Sequence, residues 1–161
     1  KGLGKSAQRH YRCVSTAEIA QLPVQSLAAP HCVLWLWATG PMLPVALHIM
    51  DAWGFIYKTG GAWVKKTRNG ATAFGTGYVL RSSCEPFLIG TRGSPRTTRA
   101  VSNVVEAIRR EHSRKPDEAY AAAERLMPQV RRADLFSREV RPGWECWGDE
   151  TGKFGGVDAP C

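Results

Sequence analysis

An α/β domain with a largely parallel sheet is the fold class this sequence predicts, on three observations. Short apolar segments of strand character alternate with segments of helical period along the chain. The run Cys32 to Ala38 is apolar on both faces, the pattern of a strand at the centre of a sheet that helices cover on each side. Breakers such as Gly40-Pro41 and Pro128 separate the elements.

Ser15-Thr16-Ala17-Glu18 has the spacing of a capping box and is followed by Ile19 and Leu22, so a short helix starts here and Pro23 limits it. His31 to Thr39 reads as a strand. Leu43, Ala46, Leu47 and Met50 recur at helical spacing, which predicts a helix over about 41–53. Ile56 to Lys65 is a second strand, weakened by Gly60 and Gly61. Residues 66–83 are rich in Gly, Thr, Ser and Arg and read as a loop long enough to have a function. Pro86 to Thr91 is a strand, and 92–98 is a second basic loop. Val101 to Ile108 is β-branched and reads as a strand, although Val101, Val104, Val105 and Ile108 also fit a helical period. Lys115-Pro116-Asp117-Glu118 opens a helix, with proline at an early position and acids in the first turn, and Pro128 stops it. Arg132 to Ser137 and Trp144 to Trp147 are the last strands.

At 161 residues the chain suits one domain, 1–161, with a loose glycine-rich tail over 151–161. No apolar run reaches the ~18 residues that span a bilayer. Lys1 to His10 lacks the apolar core of a signal peptide, so a cytoplasmic setting is expected. The five cysteines, at 13, 32, 84, 146 and 161, and the four histidines show no metal-ligand or redox spacing. The net charge of +8 is uneven: residues 1–115 carry sixteen Lys or Arg against five acids, and 116–161 carry six against nine. A basic front suits phosphates, and ordinary solubilising charge is the plain alternative. In an open α/β sheet, ligands bind beyond the carboxyl ends of the strands. The loops after Trp37, Lys65 and Phe136 are therefore the places to look.

Seven segments then fall in one order: His10-Tyr11 with the capping box, Leu34 to Thr39, Trp53-Gly54-Phe55 with Trp63-Val64-Lys65, Gly75 to Glu85, Ser113 to Glu118, Asp134 to Arg138, and Gly143 to Glu150. Over residues 5–150 the chain resembles the adenine-N6 methyltransferases of the messenger-RNA methyltransferase catalytic-subunit type, whose bacterial and phage relatives act on DNA. The resemblance implies a Rossmann-like fold dependent on S-adenosylmethionine with a permuted motif order. Residues 1–100 would then be the target-recognition side and 101–150 the cofactor-binding side. The permutation accounts for the lack of an opening Gly-x-Gly-x-x-Gly loop.

The resemblance further implies that Lys115 pairs with the carboxylate of the cofactor's methionine half. Asp149 and Glu150 would accept from the ribose hydroxyls, where the family often has amides. Phe136 (by its backbone), Arg138 and Arg141 would line the pocket. Tyr11, Lys65, Tyr78, Arg81 and Glu85 fall on the nucleic-acid side, DNA rather than RNA, and a homodimer is compatible with the loops. Plainer roles stand beside these: a solvated Lys115 or one in contact with a neighbouring strand end, core packing for Phe136, a polar tail at 149–150, and an Arg81–Glu85 ion pair. Trp35, Trp37, Trp53 and Trp63 read as core. The family's catalytic Asp-Pro-Pro-Trp is absent from these residues and is expected ahead of Lys1; the alternatives are an RNA methyltransferase or an inactive nucleic-acid-binding partner subunit.

Overall fold

The computed structural model describes residues 14–111 and 113–154. They divide into two compact units, one ending at Leu126 and one starting at Met127.

The first unit opens with α1 (Thr16–Ala20), α2 (Val24–Leu27) and β1 (Cys32–Trp37). After a 3-10 turn over Gly40–Met42 come α3 (Leu43–Ala52), β2 (Ile56–Lys66), β3 (Cys84–Arg92), β4 (Val104–Ile108) and α4 (Asp117–Leu126). The capping box at α1 forms as its spacing predicts. Glu18 N–H donates to Ser15 Oγ, and the Glu18 carboxylate accepts from Ser15 N–H at 2.9 Å. Only five residues long, α1 is held by tertiary contact as well: Trp53 Nε1 donates to the Ile19 carbonyl at 3.0 Å.

The sheet order is β1-β3-β2-β4. The α/β class stands, but the largely parallel sheet does not. β3 is antiparallel to both of its neighbours, and among the described residues β2–β4 is the parallel pair of this sheet. The reason is the connection. β1 reaches β2 by the crossover helix α3, which keeps those strands co-directional. The loop 67–83 then sends the chain straight back, and the returning β3 fills the gap between them. Strands β1, β2 and β4 therefore run one way and β3 alone runs against them. A second correction follows. Among the described residues β1 has a neighbour, β3, on one side only, where the sequence pattern predicts a central strand.

Register assigns the faces. Trp37 stands opposite Phe87, Phe87 opposite Gly61, and Glu85 opposite Trp63, while Val105 lies beside Trp63. Directly paired residues share a face. One face thus gathers Trp35, Trp37, Trp63, Phe87 and Val105, and the small Ala119 of α4 closes against it. Trp63, Phe87 and Val105 are each at most 5% exposed; burying a side chain of this kind contributes about 1.5–3 kcal/mol. Trp63 Nε1 is satisfied by the Ala107 carbonyl at 3.1 Å. On the other face, Met50 of α3 sits against Gly90.

The glycines expected to weaken β2 instead permit this packing. A Cβ at Gly61 would stand 2.0 Å from the Asn103 carbonyl oxygen and 2.4 Å from the Phe87 ring.

The second unit contains β5 (Ala133–Leu135) and β6 (Glu145–Trp147), paired in parallel. The link 136–144 is short for a parallel connection. It is organised around buried polar groups: Ser137 and Glu139 are 4% and 8% exposed, and Glu139 pairs with Arg141 at 2.5 Å.

Gly61→Ala is expected to cost about 1–3 kcal/mol through overpacking. Gly40→Ala, at a site with no atom within 4 Å, is expected to stay within about 0.5 kcal/mol of wild type. Urea unfolding of the two variants checks both; equal stabilities would refute the close approach at Gly61.

Candidate functional site

The carboxyl ends of β1, β2 and β4 and the amino end of β3 share one edge of the sheet. Lys65 N–H donates to the Ser83 carbonyl at 2.9 Å, and Ala38 N–H to the Pro86 carbonyl at 3.1 Å. Side chains from three distant stretches of sequence meet there. Lys65 follows Trp63 by two residues along β2 and so points to the same face, where Glu85 stands opposite Trp63. Lys65 Nζ lies 3.0 Å from Glu85 Oε2, and Lys115 Nζ donates to Glu85 Oε1. The two ammonium groups also rest on aromatic rings: Lys65 lies 4.8 Å from the Trp63 ring centre, and Lys115 lies 5.1 Å from that of Trp37.

Lys115 is held where it is by the residue that follows it. Pro116 is fully buried, and its carbonyl accepts from Ala119 N–H at 3.1 Å. The start of α4 is thereby fixed against the sheet.

Glu85 feels opposing effects. Its burial alone would raise the carboxyl; the Lys115 charge and hydrogen bond, then those of Lys65, outweigh this and hold it below the ordinary glutamate value. Two ammonium groups share one carboxylate, so the cluster carries an excess of one positive charge. The three side chains are 16–30% exposed, which leaves the cluster open to an anion.

The expected Arg81–Glu85 pair does not form. Arg81 instead donates to the Gly75 carbonyl at 3.3 Å and lies over Phe74, 5.2 Å from the ring centre. Tyr78 is 91% exposed. Beyond β4, four arginines (Arg68, Arg109, Arg110 and Arg114) and three acids (Glu111, Asp117 and Glu118) line a hollow of about 320 Å³. Arg110 pairs with Asp117 at 2.8 Å and Arg114 with Glu111 at 3.3 Å, whereas Arg68 and Arg109 are exposed.

In the second unit, Phe136 ends β5 in the left-handed region, at φ 62°, and is half exposed. A non-glycine residue there is uncommon. Its ring is half exposed among the described residues, where core packing is the plainer reading of the sequence. Arg138 Nε lies 2.8 Å from Glu150 Oε2, and Lys153 lies 2.5 Å from Glu150 Oε1. The Lys153 hydrogen bond, and then Arg138, hold the Glu150 carboxyl below its ordinary value. Asp149 is exposed. Arg141 is committed to Glu139. Tyr11 lies outside the described residues.

The structure thus brings together Lys65, Glu85 and Lys115, which sequence reasoning assigned to two different ligands. It adds Trp37, which read as core but is only half-buried beneath Lys115. Its place as the last residue of β1, at a carboxyl end, is the signal that could have found it. Among the described residues no group of His, Cys, Asp and Glu could hold a metal ion, and no helix is long and apolar enough to cross a membrane.

Comparison with known proteins accords with this arrangement. The MT-A70 family profile matches residues 3–150. The type II methyltransferase M.MunI of a Mycoplasma species is 32% identical over 149 residues, which is 90% of this chain and 61% of that protein. The N6-methyladenosine RNA methyltransferase MTA1 of Cryphonectria parasitica is 28% identical over 158 residues, 91% of this chain and 47% of its own. The N(6)-adenosine-methyltransferase catalytic subunit METTL3 of Homo sapiens is 32% identical over 127 residues, 73% of this chain and 21% of its own. The chain spans less than two thirds of the length of each.

Because Glu85 titrates lower in the folded state than in the unfolded chain, its charge contributes stability above the ordinary glutamate value of about 4.3. That contribution is lost as pH falls through the lowered folded value. Glu85→Gln, which leaves two ammonium groups facing each other, is expected to cost about 1–3 kcal/mol at neutral pH. The gap from wild type should close in acid, where the wild-type carboxyl is also neutral. Denaturant unfolding of both proteins across the acid range checks this; a gap independent of pH would contradict it.

Proposed function

Because the chain belongs to the MT-A70 family, we propose that the protein transfers a methyl group from S-adenosylmethionine to the N6 amine of adenine in DNA. The observation that carries the proposal is the Lys65–Glu85–Lys115 cluster at the carboxyl edge of the sheet.

The cluster fits the cofactor on charge. Its excess of one positive charge suits a single carboxylate, and the methionine half of S-adenosylmethionine offers one. Each ammonium group has three donors. Lys115 can therefore keep Glu85 and accept a second anion, with the start of a ten-residue helix beside it. When bound, the cofactor supplies an electrophilic methyl group on sulfur. In the second unit, Asp149 and Glu150 are proposed to accept from the ribose diol. Asp149 is exposed, which leaves its oxygens accessible, and Glu150 is held by Arg138 and Lys153. Arg141 pairs with Glu139 and, with five donors, can keep that contact and still line the pocket.

The adenine amine is a poor nucleophile, because its lone pair is spread into the ring. Its attack depends on being held in line, about 3 Å from the methyl carbon. Glu85 and Lys65 stand where they can border the target base. Glu85 remains ionised at neutral pH and so acts as an acceptor toward donors on the nucleotide. The amine's own hydrogens need acceptors, a role the resemblance gives to the family's Asp-Pro-Pro-Trp segment and not to Glu85 or Lys65. The basic patch with Arg68 and Arg109 suits backbone phosphates. The choice of DNA over RNA follows the resemblance, whose bacterial and phage relatives act on DNA; the bacterial M.MunI is among the similar proteins.

The test is incubation of the full-length protein with labelled S-adenosylmethionine and either DNA or RNA, followed by nucleoside analysis. N6-methyladenine in DNA is expected. No transfer to either polymer, with no cofactor binding by calorimetry, would overturn the proposal; methylation confined to RNA would replace the substrate. Lys115→Ala is expected to weaken S-adenosylmethionine binding by about 1–3 kcal/mol, and an unchanged calorimetric affinity would remove Lys115 from the site.

A further inference from the structure

The 66–83 loop is a built structure with an unexpected tip. Gly75 N–H donates to the Ser82 carbonyl at 2.6 Å and Ser82 N–H to the Thr76 carbonyl at 3.1 Å, so its two limbs are paired. Arg81 locks the base of the tip through the Gly75 carbonyl and the Phe74 ring. At the turn a Cβ on Gly77 would stand 1.8 Å from the Leu80 carbonyl oxygen. Only glycine permits so tight a reversal. The result is that Tyr78, Val79 and Leu80 project together, 91%, 95% and 82% exposed.

Three consecutive large apolar side chains held almost wholly in water are costly unless they meet a partner. The surroundings indicate which kind. Residues 66–83 carry Lys66, Arg68 and Arg81 and no acid; Lys66 pairs with Glu106 of β4 at 2.9 Å, and the exposed Arg68, with Arg81 beside the tip, is the charge complement of a phosphate backbone. The limbs of the loop also end at the candidate site, because Lys65 N–H is bonded to the Ser83 carbonyl and Glu85 follows two residues later.

We infer that Tyr78-Val79-Leu80 is a wedge that enters a nucleic-acid duplex beside the target adenine and fills the space the extruded base leaves. This rests on the proposed adenine methylation of DNA and adds duplex opening to it. A base inside a duplex cannot reach a buried methyl donor, and extrusion costs a few kcal/mol of pairing and stacking. Apolar side chains inserted between base steps offset that cost. The exposed Arg68 would hold the backbone beside the opened step. No covalent step is involved.

The test uses the full-length protein and duplex oligonucleotides built on a site that the wild type methylates. Opposite the target adenine stands either thymine or an abasic residue, which removes the pairing cost. The variant carries Tyr78→Ala, Val79→Ala and Leu80→Ala together. On the paired duplex its kcat/KM is expected to fall about tenfold or more, and on the abasic duplex to stay within about twofold of wild type. Retained activity on the abasic duplex also shows that the variant is folded. Equal losses on both duplexes, or no loss on either, overturn the wedge while leaving the methylation reading intact. A drop in the molecular mass of the variant in light scattering, with equal losses, would make the tip a protein interface instead. A wild type that methylates no DNA site overturns the DNA reading and the wedge together.

Discussion

One carboxylate between two ammonium groups constrains much of the first unit. Glu85 can meet Lys65 only if β3 returns antiparallel beside β2 with Glu85 opposite Trp63. It can meet Lys115 only if the start of α4 is brought back over the same edge. A slip of one residue in β3 would turn Glu85, and the buried Phe87 with it, to the opposite face, so the ion pairs reinforce a register that burial also sets. A partly buried ion pair adds little net stability, because desolvation offsets much of the Coulomb gain. Its value lies in reinforcing that register, and in keeping one uncompensated positive charge at the edge where a ligand can approach.

The aromatic layer under this cluster serves both packing and electrostatics. Trp63 and Phe87 are core by any measure of burial, yet the faces of Trp63 and Trp37 also carry the two ammonium groups. The site is thus an extension of the core into water, with charged groups mounted on rings that cannot move without disturbing Val105 and Ala119. Such rigidity suits a reaction that depends on in-line geometry.

The elements were largely legible in the sequence because they depend on local signals. The capping box at Ser15, the period of Leu43 to Met50 and the proline at 116 each act within a turn or two of chain. The strand order was not legible. Alternation reveals that Trp63 and Lys65 share a face, and likewise Glu85 and Phe87, but not which strand lies beside which. The alternation of strands and helices agrees with the common direction of β1, β2 and β4 but gave no hint that β3 would enter between β1 and β2. The candidate site suffered the same limit: Lys65, Glu85 and Lys115 were each singled out, but their meeting is a long-range fact. The positive φ at Phe136 and the Glu139–Arg141 pair had no sequence signal beyond residue type. The resemblance, carried by ordered motifs, supplied the chemistry that spacing alone could not.

A crystal structure of the full-length protein with S-adenosylhomocysteine tests the central claim most directly, because the product keeps the carboxylate of the methyl donor. The account predicts that carboxylate within hydrogen-bond distance of Lys115 Nζ, about 3 Å, with the Lys115–Glu85 contact still made. A carboxylate bound elsewhere, with Lys115 engaged by Glu85 alone, would reduce the cluster to a device of the fold and contradict the account.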